Sequence, residues 1–293
     1  MKRRHIGFLY ILPWFIGFLI FTCYPFFASL YYSLTDYNML SEAKFIGLDN
    51  YKALFSDKEF IDTMIATFKY VIMTVPFKLI FALFIAFILN FKLRGINFFR
   101  TAYYIPSILG GNVAIAVLWK FLFQEDGLIN QVVKLFGGGA VPWFSQPTTA
   151  MLTLSLLRVW EFGSAMVIFL AALKNIPTEL YEAAEVDGAS KLITFIKVTI
   201  PMLTPVLFFN LVMQMIQAFQ EFNSPYLITG GGPLNKTYLV SMMIYEEAFQ
   251  NYSMGFASAV SWILFVVIMI FTAFVFKSSN YWVYYSDGGE EKK

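Results

Sequence analysis

Four polar side chains recur within an apolar stretch in the C-terminal half of the chain. They are Asn210, Gln214, Gln217 and Glu221, separated by steps of four, three and four residues. Residues at these spacings lie on one face of a helix. Aligned amides and carboxylates can hydrogen-bond the hydroxyl groups of a solute in a hydrated path. Glutamine side chains also hold transmembrane helices together, but four aligned polar groups exceed what packing usually needs, which favours the path.

Ionisable residues that lie well inside other apolar stretches include Lys78, Arg158 and Glu161. An ionisable side chain at the centre of a bilayer costs about 2.5–3.5 kcal/mol on insertion scales, so pairing or water must offset the cost. Arg158 and Glu161 are three residues apart and can pair on one helix face. They therefore either line the same path or form a structural ion pair. For Lys78 we expect snorkelling or structural pairing.

The composition of the chain indicates a membrane protein. Of its 293 residues, 58% are hydrophobic and only 14% are charged, against about 25% charged in an ordinary soluble domain. A net charge of +2 without a basic face argues against nucleic acid as a partner. The lone cysteine, Cys23, lies in an apolar run, and the lone histidine, His5, lies among basic residues. We expect no metal site and no catalytic residue.

Six apolar stretches are each long enough to cross the hydrocarbon layer, which takes about 20 residues of helix. We therefore predict an all-α integral membrane protein, with residues 1–293 as a single transmembrane domain. The first stretch follows the basic segment MKRRH, but it is about twice the length of the apolar region of a signal peptide and lacks a clear cleavage site, so we expect it to be retained. The predicted spans are residues 8–33, 66–90, 101–123, 151–173, 201–224 and 257–276.

Lysine and arginine are concentrated on one side of these spans, which the positive-inside rule assigns to the cytoplasm. Both termini are then cytoplasmic. The segments on that side contain Lys2, Arg3, Arg4, Lys92, Arg94, Arg100, Lys174, Lys191, Lys197, Lys277, Lys292 and Lys293. The outer loops are longer in total but contain only Lys44, Lys52, Lys58, Lys134 and Lys236, with Lys120 near a helix end.

The segment 174–200, between the fourth and fifth spans, is rich in charge for this chain. Thr178 is predicted to cap a short helix, ELYEAAEV, with glutamates in its first turn. Gly188 ends that helix, because glycine readily adopts the required backbone angles. Ser190 then caps a second short helix, KLITFIKV, and Pro201 begins the fifth span. The pattern predicts a helix-turn-helix projection with an acidic tip, which is either a connector or a docking element.

The run EAAEVDGASKLITFIKVTIPMLTP resembles the EAA loop of ABC-importer permeases. Three more segments are similar to the sugar branch of that family: FIGLDNYKALFSD (45–57), FFRTAYYIPSILGGNVAIAVLWKFLF (98–123) and LITGGGPLNKT (227–237). The resemblance covers nearly the whole chain, and the matching segments keep the order that they have in the family. The family resembled is that of the maltose-type sugar importers of the bacterial cytoplasmic membrane. The matching positions of the loop are Glu182, Ala183, Ala184, Asp187, Gly188, Ala189, Phe195, Pro201 and Pro205.

This resemblance implies a role for the segment 174–200, which we call the coupling segment. In the family it inserts into a cleft of a cytoplasmic ATPase subunit and converts closure of the ATPase dimer into tilting of the spans. Glu182 would meet a basic group there, and the small residues would permit close approach. The implied coupling residues are Glu182, Ala183, Ala184, Asp187, Gly188 and Ala189. The run Gly230, Gly231, Gly232 and Pro233 would lie in an external loop near the docked solute-binding protein.

The resemblance also implies the partners: a second homologous permease, two ATPase subunits, an extracytoplasmic solute-binding protein and the bilayer. The glycine run TGGGPLNKT lacks the GxxxxGK(S/T) spacing of a phosphate-binding loop, so we expect no cofactor in this chain, with ATP and Mg²⁺ bound by the ATPase subunits. The expected substrate is a sugar, and we favour an oligosaccharide. An unpaired Arg158 facing the path would suit an acidic sugar such as a uronate.

Two other functions fit the sequence less well. Six spans are few for an ion-gradient-driven secondary transporter. Such transporters are built from inverted repeats, and no inverted repeat is visible in this sequence. The coupling segment would also have no role in such a protein. An intramembrane enzyme would need a nucleophile–base pair, a metal cluster or a HExxH motif, and none is found in the sequence. The ABC permease is therefore the function we predict, with the secondary transporter as the alternative.

Overall fold

The computed structural model describes residues 3–91 and 94–284, and the fold is mostly helical. Lys2, Lys92, Lys292 and Lys293, which entered the orientation argument, lie outside the described residues. The helices are α1 (Arg3–Phe18), α2 (Tyr24–Ser33), α3 (Asp49–Ser56), α4 (Lys58–Leu89), α5 (Ile96–Leu109), α6 (Val113–Leu122), α7 (Leu128–Leu135), α8 (Pro147–Trp160), α9 (Gly163–Lys174), α10 (Thr178–Val186), α11 (Lys191–Thr194), α12 (Ile200–Phe219), α13 (Val240–Phe249) and α14 (Met254–Trp282). Three π-helical turns lie at Leu19–Cys23, Phe195–Thr199 and Pro225–Thr229, and an antiparallel pair of short strands is formed by β1 (Thr35–Asp36) and β2 (Lys44–Phe45).

In the described part of the chain, four helical stretches are long and apolar enough to cross a membrane. Two pairs of helices, α5 with α6 and α8 with α9, reach that length together but bend by 105° and 45°. The number of spans is therefore four, or up to six if each bent pair counts as one. The four continuous stretches are Tyr10–Ser33, Lys58–Leu89, Lys191–Phe219 and Met254–Trp282.

The stretch 101–123, expected as one span, is divided into two helices at Gly110–Asn112. Gly111 adopts a φ of +77°, which favours glycine and ends α5. The side chain of Asn112 then caps α6 by accepting a hydrogen bond from the backbone N–H of Ala114, at 3.0 Å. The break is encoded by two glycines and a capping residue, although the surrounding side chains remain apolar.

The second bent pair packs closely on the first. At the start of α9, a Cβ atom at Gly163 would lie 2.8 Å from the Cα of Tyr104 and 2.5 Å from the carbonyl oxygen of Tyr103. Only a residue without a side chain lets α9 approach α5 so closely. In this bent pair Leu154 of α8 and Met166 and Phe169 of α9 are fully buried.

The coupling segment differs from the prediction at two points. Pro177 occupies the N-cap position of α10, and Thr178 is the first helical residue and makes no capping hydrogen bond. The second helix does not end before the fifth span, because Lys191–Phe219 is one continuous stretch. Pro201 is the second residue of α12 and so lies in its first turn, as predicted. The π-helical turn Phe195–Thr199 ends two residues before this proline, whose missing N–H removes one bond from the continuous helical ladder.

One of two compact units comprises residues 3–61 and 240–266. Within it, the Asn50 side-chain amide donates to the carbonyl oxygens of Ser33 and Thr35, at 2.9 and 3.0 Å. The Tyr51 hydroxyl donates to Ser33 Oγ at 2.7 Å. Gly255 packs against the carbonyl of Thr35, with no room for a side chain. The FIGLDNY segment therefore ties the end of α2 to the hairpin.

The other unit comprises residues 62–91, 94–239 and 267–284. Its connection between α6 and α8 is organised by Asn130, which is fully buried. The Asn130 amide donates to the carbonyl of Val141 at 2.9 Å, and its oxygen accepts from Val141 N and from Trp143 Nε1, both at 3.0 Å. This unit contains the buried charges, the coupling segment and the glycine loop.

Candidate functional site

Three charged side chains meet in the interior of the larger unit, and we call them the charge cluster: Arg158, Glu161 and Glu221. Arg158 Nη1 lies 2.7 Å from Glu161 Oε2, and Arg158 Nε lies 3.4 Å from Glu221 Oε2. The side chains are 19%, 7% and 9% exposed, respectively. The pairing of Arg158 with Glu161 predicted from their spacing is confirmed, and Glu221 is a second partner that the spacing did not indicate.

The charge cluster lies where three helices are interrupted. Glu161 follows the last residue of α8, at the bend before α9, and Glu221 lies just beyond the end of α12. The break between α5 and α6 lies at the same place, because Gly110 packs against the Glu161 carboxyl group. Asn223 Nδ2 also donates to the carbonyl oxygen of Gly111, at 3.3 Å. Interrupted helices that converge on buried polar groups are typical of substrate sites in membrane transporters.

Glu221 also has a local structural role. Its Oε1 accepts hydrogen bonds from the backbone N–H of Ser224 at 3.1 Å and from Ser224 Oγ at 2.6 Å. These bonds hold the chain at the entry to the π-helical turn Pro225–Thr229. One carboxylate therefore joins the guanidinium of Arg158 to the segment that leads into the glycine loop.

The four polar residues predicted to share one helix face differ in their exposure. Asn210 and Gln214 are buried within the chain, as is Glu221, whereas Gln217 is exposed. The Asn210 Nδ2 group is buried and has no hydrogen-bond partner among the described residues. Gln217 is thus the member of this row that is open to a partner or solute outside the chain.

A second row of buried polar residues was missed at the sequence level. It lies on α4 at steps of four, three, four and four residues, and all its members are at most 3% exposed. Thr74 Oγ1 donates to Ser155 Oγ on α8 at 3.2 Å. The spacing is visible in the sequence, but threonine and tyrosine do not stand out among the apolar residues of a membrane-spanning stretch. This α4 polar row consists of Thr63, Thr67, Tyr70, Thr74 and Lys78.

Two members of the α4 polar row belong electrostatically to the charge cluster. Tyr70 and Lys78 both interact with Arg158 and with the two carboxylates. Lys78 is 3% exposed, so it is buried rather than snorkelling. With Lys78 included, two formal positive charges face two negative ones. Arg158 is therefore paired, and the condition under which it would suit an acidic sugar is not met.

The coupling segment forms a tight reversal after α10. Gly188, at a φ of +72°, donates to the carbonyl of Glu185 at 3.0 Å, and Ala189 donates to that of Ala184 at 2.9 Å. This pair of bonds is the Schellman arrangement that ends helices at a left-handed glycine. Ser190 Oγ accepts from Ile193 N at 3.4 Å, which confirms the predicted cap of the next helix. The Tyr181 hydroxyl lies 3.1 Å from Thr199 Oγ1 and links α10 to the π-helical turn.

The outer surface of this reversal is acidic and apolar. Glu182, Ala183, Asp187 and Gly188 are exposed, and Ala184 and Ala189 are half-buried. Beside them three large apolar side chains face outward: Val186 at 89%, Leu192 at 68% and Ile196 at 56% exposure. Apolar side chains presented next to carboxylates on a rigid turn are suited to docking a protein surface.

The glycine loop that follows Pro225–Thr229 is held in one conformation by Thr237. Its N–H donates to the carbonyl of Gly231 at 3.1 Å, and its Oγ1 donates to that of Gly232 at 2.6 Å. Gly230 and Gly231 have φ of +59° and +85°. The residues that precede Leu234 are thus ordered by Thr237, and Leu234 itself is 82% exposed at the loop tip. Among the described residues, no three His, Cys, Asp or Glu side chains group so that they could hold a metal.

Residues 51–283 match the family described as binding-protein-dependent transport system inner membrane component. The chain belongs to this family. It is the permease subunit of an ABC importer, and the ATPase activity resides in separate partner subunits, so the permease is not itself an enzyme. The family works with a second permease, with ATPase subunits and with a binding protein.

Relatives of this permease match it along almost their whole length. It is 47% identical over 293 residues to the probable ABC transporter permease protein YesP of Bacillus subtilis, covering 99% of this chain and 95% of the relative. It is 32% identical to the trehalose/maltose transport system permease protein MalF of Thermococcus litoralis, covering 96% and 95%. A chain of a bacterial ABC transporter that imports the acidic polysaccharide alginate has the same fold, with a TM-score of 0.82, 24% identity, and 95% and 96% coverage.

Proposed function

We propose that this permease and a second, homologous permease together form the membrane path for a sugar, which we take to be an oligosaccharide. An external binding protein delivers the sugar, and two ATPase subunits drive its passage. The named substrates of the sugar-importing relatives support the substrate class. The observation that carries the proposed path is the charge cluster at the meeting point of three interrupted helices.

The chemistry of this region suits a hydroxylated solute. Amides and carboxylates both accept hydrogen bonds, and amides also donate them, so an array of these groups can satisfy many sugar hydroxyls. We assign the substrate path to Asn210, Gln214, Gln217 and Glu221 on one side and to Arg158 and Glu161 on the other. Gln217 is the exposed member, and we expect it to be the first to contact the sugar.

The coupling segment is proposed to dock the ATPase. Its contact residues would be Glu182, Ala183, Ala184, Asp187, Gly188 and Ala189. The Schellman turn and the Tyr181–Thr199 contact make the projection rigid, and α11 runs without interruption into α12, which ends next to Glu221. Movement of the docked ATPase would therefore be transmitted along one helix towards the charge cluster.

We further propose six crossings, with each bent pair counted as one span and both termini in the cytoplasm. In this topology residues 174–200 are cytoplasmic, and the loop with Gly230, Gly231, Gly232 and Pro233 faces the binding protein. The excess of lysine and arginine in the segments on the coupling side supports this orientation.

The docking proposal is tested by pull-down from native membranes in mild detergent. The intact permease is compared with the Glu182→Lys, Gly188→Asp double variant. A matched control, Glu125→Lys with Gly137→Asp, changes an exposed glutamate and an exposed left-handed glycine outside the coupling segment. We expect the first variant to lose the ATPase while it keeps the second permease, and the control to keep both.

Failure of the intact permease to bring down any ATPase would overturn the assignment, and ion-gradient-driven uptake would then be measured. The substrate is tested by ATP-dependent uptake into proteoliposomes that contain the whole importer, with neutral and uronate-containing oligosaccharides as probes. Uptake of monosaccharides alone would contradict the proposed oligosaccharide path.

A further inference from the structure

A long groove runs along the surface of the larger unit between α4 and α8. At one end is a cavity of about 340 Å³, where Asp62, Lys69, Thr148 and Lys236 lie among six apolar lining residues. Next along the helices is a cavity of about 550 Å³ with apolar walls, lined for example by Phe77, Phe84 and Leu156. Met73 lines both cavities. The groove therefore has two parts. We call the part with Asp62, Lys69, Thr148 and Lys236 the polar end, and the part lined by Phe77, Phe84 and Leu156 the apolar trough.

The polar end is positively charged. Lys69 is exposed and forms no ion pair with any residue that the structure describes. Lys236 pairs with Asp62, at 3.7 Å, where both side chains are close to half exposed. The first turn of α8 also lines this end through Pro147 and Thr148, and its N-cap residue supplies no capping hydrogen bond. Two lysines, one carboxylate and an uncapped helix start together favour an anion.

The polar end lies at the depth of lipid headgroups. α4 has 32 residues, more than the roughly 20 that cross the hydrocarbon layer. The predicted span began at residue 66, but about 20 residues counted back from Leu89, where α4 ends, reach only to Tyr70, which places Lys69 at the edge of the layer. The Leu89 end is the side of the coupling segment, because residues next to Leu89 share a cavity with Tyr181 and Glu185. Lys69 is therefore at the opposite surface of the membrane.

The apolar trough has the length of a lipid chain. From Lys69 to Phe84 the helix rises about 22 Å at 1.5 Å per residue. Half of the hydrocarbon layer is about 15 Å thick, so an acyl chain of that leaflet fits along the trough. Phe77, Ile80, Phe81 and Phe84 provide aromatic and aliphatic walls on the α4 side.

We propose that this groove binds an anionic glycerophospholipid in the leaflet opposite the coupling segment. The phosphate lies between Lys69, Lys236 and the first turn of α8, and one acyl chain follows the trough past Met73. Because Leu234 and Lys236 belong to the loop that begins with the three glycines, the bound lipid joins this loop to α4 and α8. Charge complementarity at headgroup depth selects a lipid in preference to an apolar protein helix as the occupant.

The test is native mass spectrometry of the whole purified importer with added lipid. Phosphatidylglycerol is compared with phosphatidylethanolamine of the same acyl chains. We expect preferential retention of phosphatidylglycerol, and a reduction of about fivefold for each lysine in Lys69→Gln and Lys236→Gln. Lys134→Gln, an exposed lysine away from the groove, should leave retention unchanged.

A further variant separates binding from folding. Asp62→Asn removes the carboxylate that competes with the phosphate, and it should increase retention of phosphatidylglycerol, an effect that simple damage to the fold would not produce. Equal retention of the two lipids, or an equal loss in Lys134→Gln, would overturn the proposal. A cross-link from Met73→Cys to the second permease would also overturn it, because protein would then fill the groove.

Discussion

The carboxyl group of Glu161 lies against the backbone of Gly110, with Oε1 2.7 Å from the position that a Cβ atom would take there. Glu161 marks the bend between α8 and α9, and Gly110 marks the break between α5 and α6. The contact between this glycine and this carboxylate therefore holds the two bends together, and we call it the interlock. The same carboxylate binds Arg158, so the interlock extends to Glu221 at the end of α12.

The first prediction concerns Gly110→Ala. The added methyl group would overlap the Glu161 carboxyl group and displace it from Arg158. Overpacking of this kind costs about 1–3 kcal/mol, so we expect a lower thermal midpoint of the purified importer and slower uptake. Gly139→Ala is the control, because a Cβ at Gly139 meets nothing within 4 Å. Equal behaviour of the two variants would show that the interlock has no energetic role.

The second prediction concerns Arg158→Gln. Removing the guanidinium leaves two carboxylates buried near each other, and breaking a buried pair in this way costs about 3–5 kcal/mol. Adding Glu161→Gln to this variant removes one of the stranded charges and should restore part of the lost stability. Thermal unfolding of the two single variants and the double variant measures the coupling. Additive losses would mean that the ion pair contributes nothing as a pair.

Much of the fold follows from patterns that are plain in the sequence. The apolar stretches predict the long helices, and Gly188 and Ser190 predict the turn and the cap of the coupling segment. The break at Gly110–Asn112 could not be seen in hydropathy, because apolar residues continue on both sides of it. Pro201 lies in the first turn of α12 as predicted, but the sequence did not indicate that the preceding helix runs continuously into it, because a local π-helical turn accommodates the proline. Both differences arise where backbone geometry, rather than side-chain polarity, decides the structure.

The charge cluster was predictable only in part. The spacing of Arg158 and Glu161 indicates a local pair, but the contact of Arg158 with Glu221 joins residues far apart in sequence. The α4 polar row was missed because single threonines can bond their own helix backbone, as Thr67 does to Thr63 at 2.9 Å. The face that they share becomes informative only once Lys78 and Tyr70 are known to lie within electrostatic range of the charge cluster.

The third prediction concerns Tyr70→Phe. The Tyr70 hydroxyl is buried near Ser224 and Glu221, but it makes no well-formed hydrogen bond to any residue that the structure describes. Removing it should leave the thermal midpoint of the importer unchanged. If the hydroxyl contacts the sugar or water in the path, the KM for uptake rises while stability stays the same. Unchanged uptake kinetics would exclude Tyr70 from the path.

The fourth prediction concerns Asn130→Leu. This change leaves the N–H of Val141 and the indole N–H of Trp143 without their acceptor in a partly buried site. Each unsatisfied group costs about 1–3 kcal/mol, so we expect a clear fall in the thermal midpoint. Gln131→Ala is the matched control, because the hydrogen bond from its side chain to the carbonyl of Asp126, at 3.1 Å, is exposed. A control variant as unstable as Asn130→Leu would contradict the assigned role.

The fifth prediction separates two roles of Gly188. Its φ of +72° strains any other residue, but asparagine tolerates this conformation better than alanine does. A Cβ at Gly188 would meet nothing within 4 Å in this chain, so only a docked partner limits its size. We expect Gly188→Ala to lose about 1–2 kcal/mol of stability and Gly188→Asn to lose less. Both variants should nevertheless show reduced ATPase stimulation by the binding protein in proteoliposomes. Full stimulation in Gly188→Asn would mean that the glycine serves the turn alone, and that the ATPase does not approach this backbone closely.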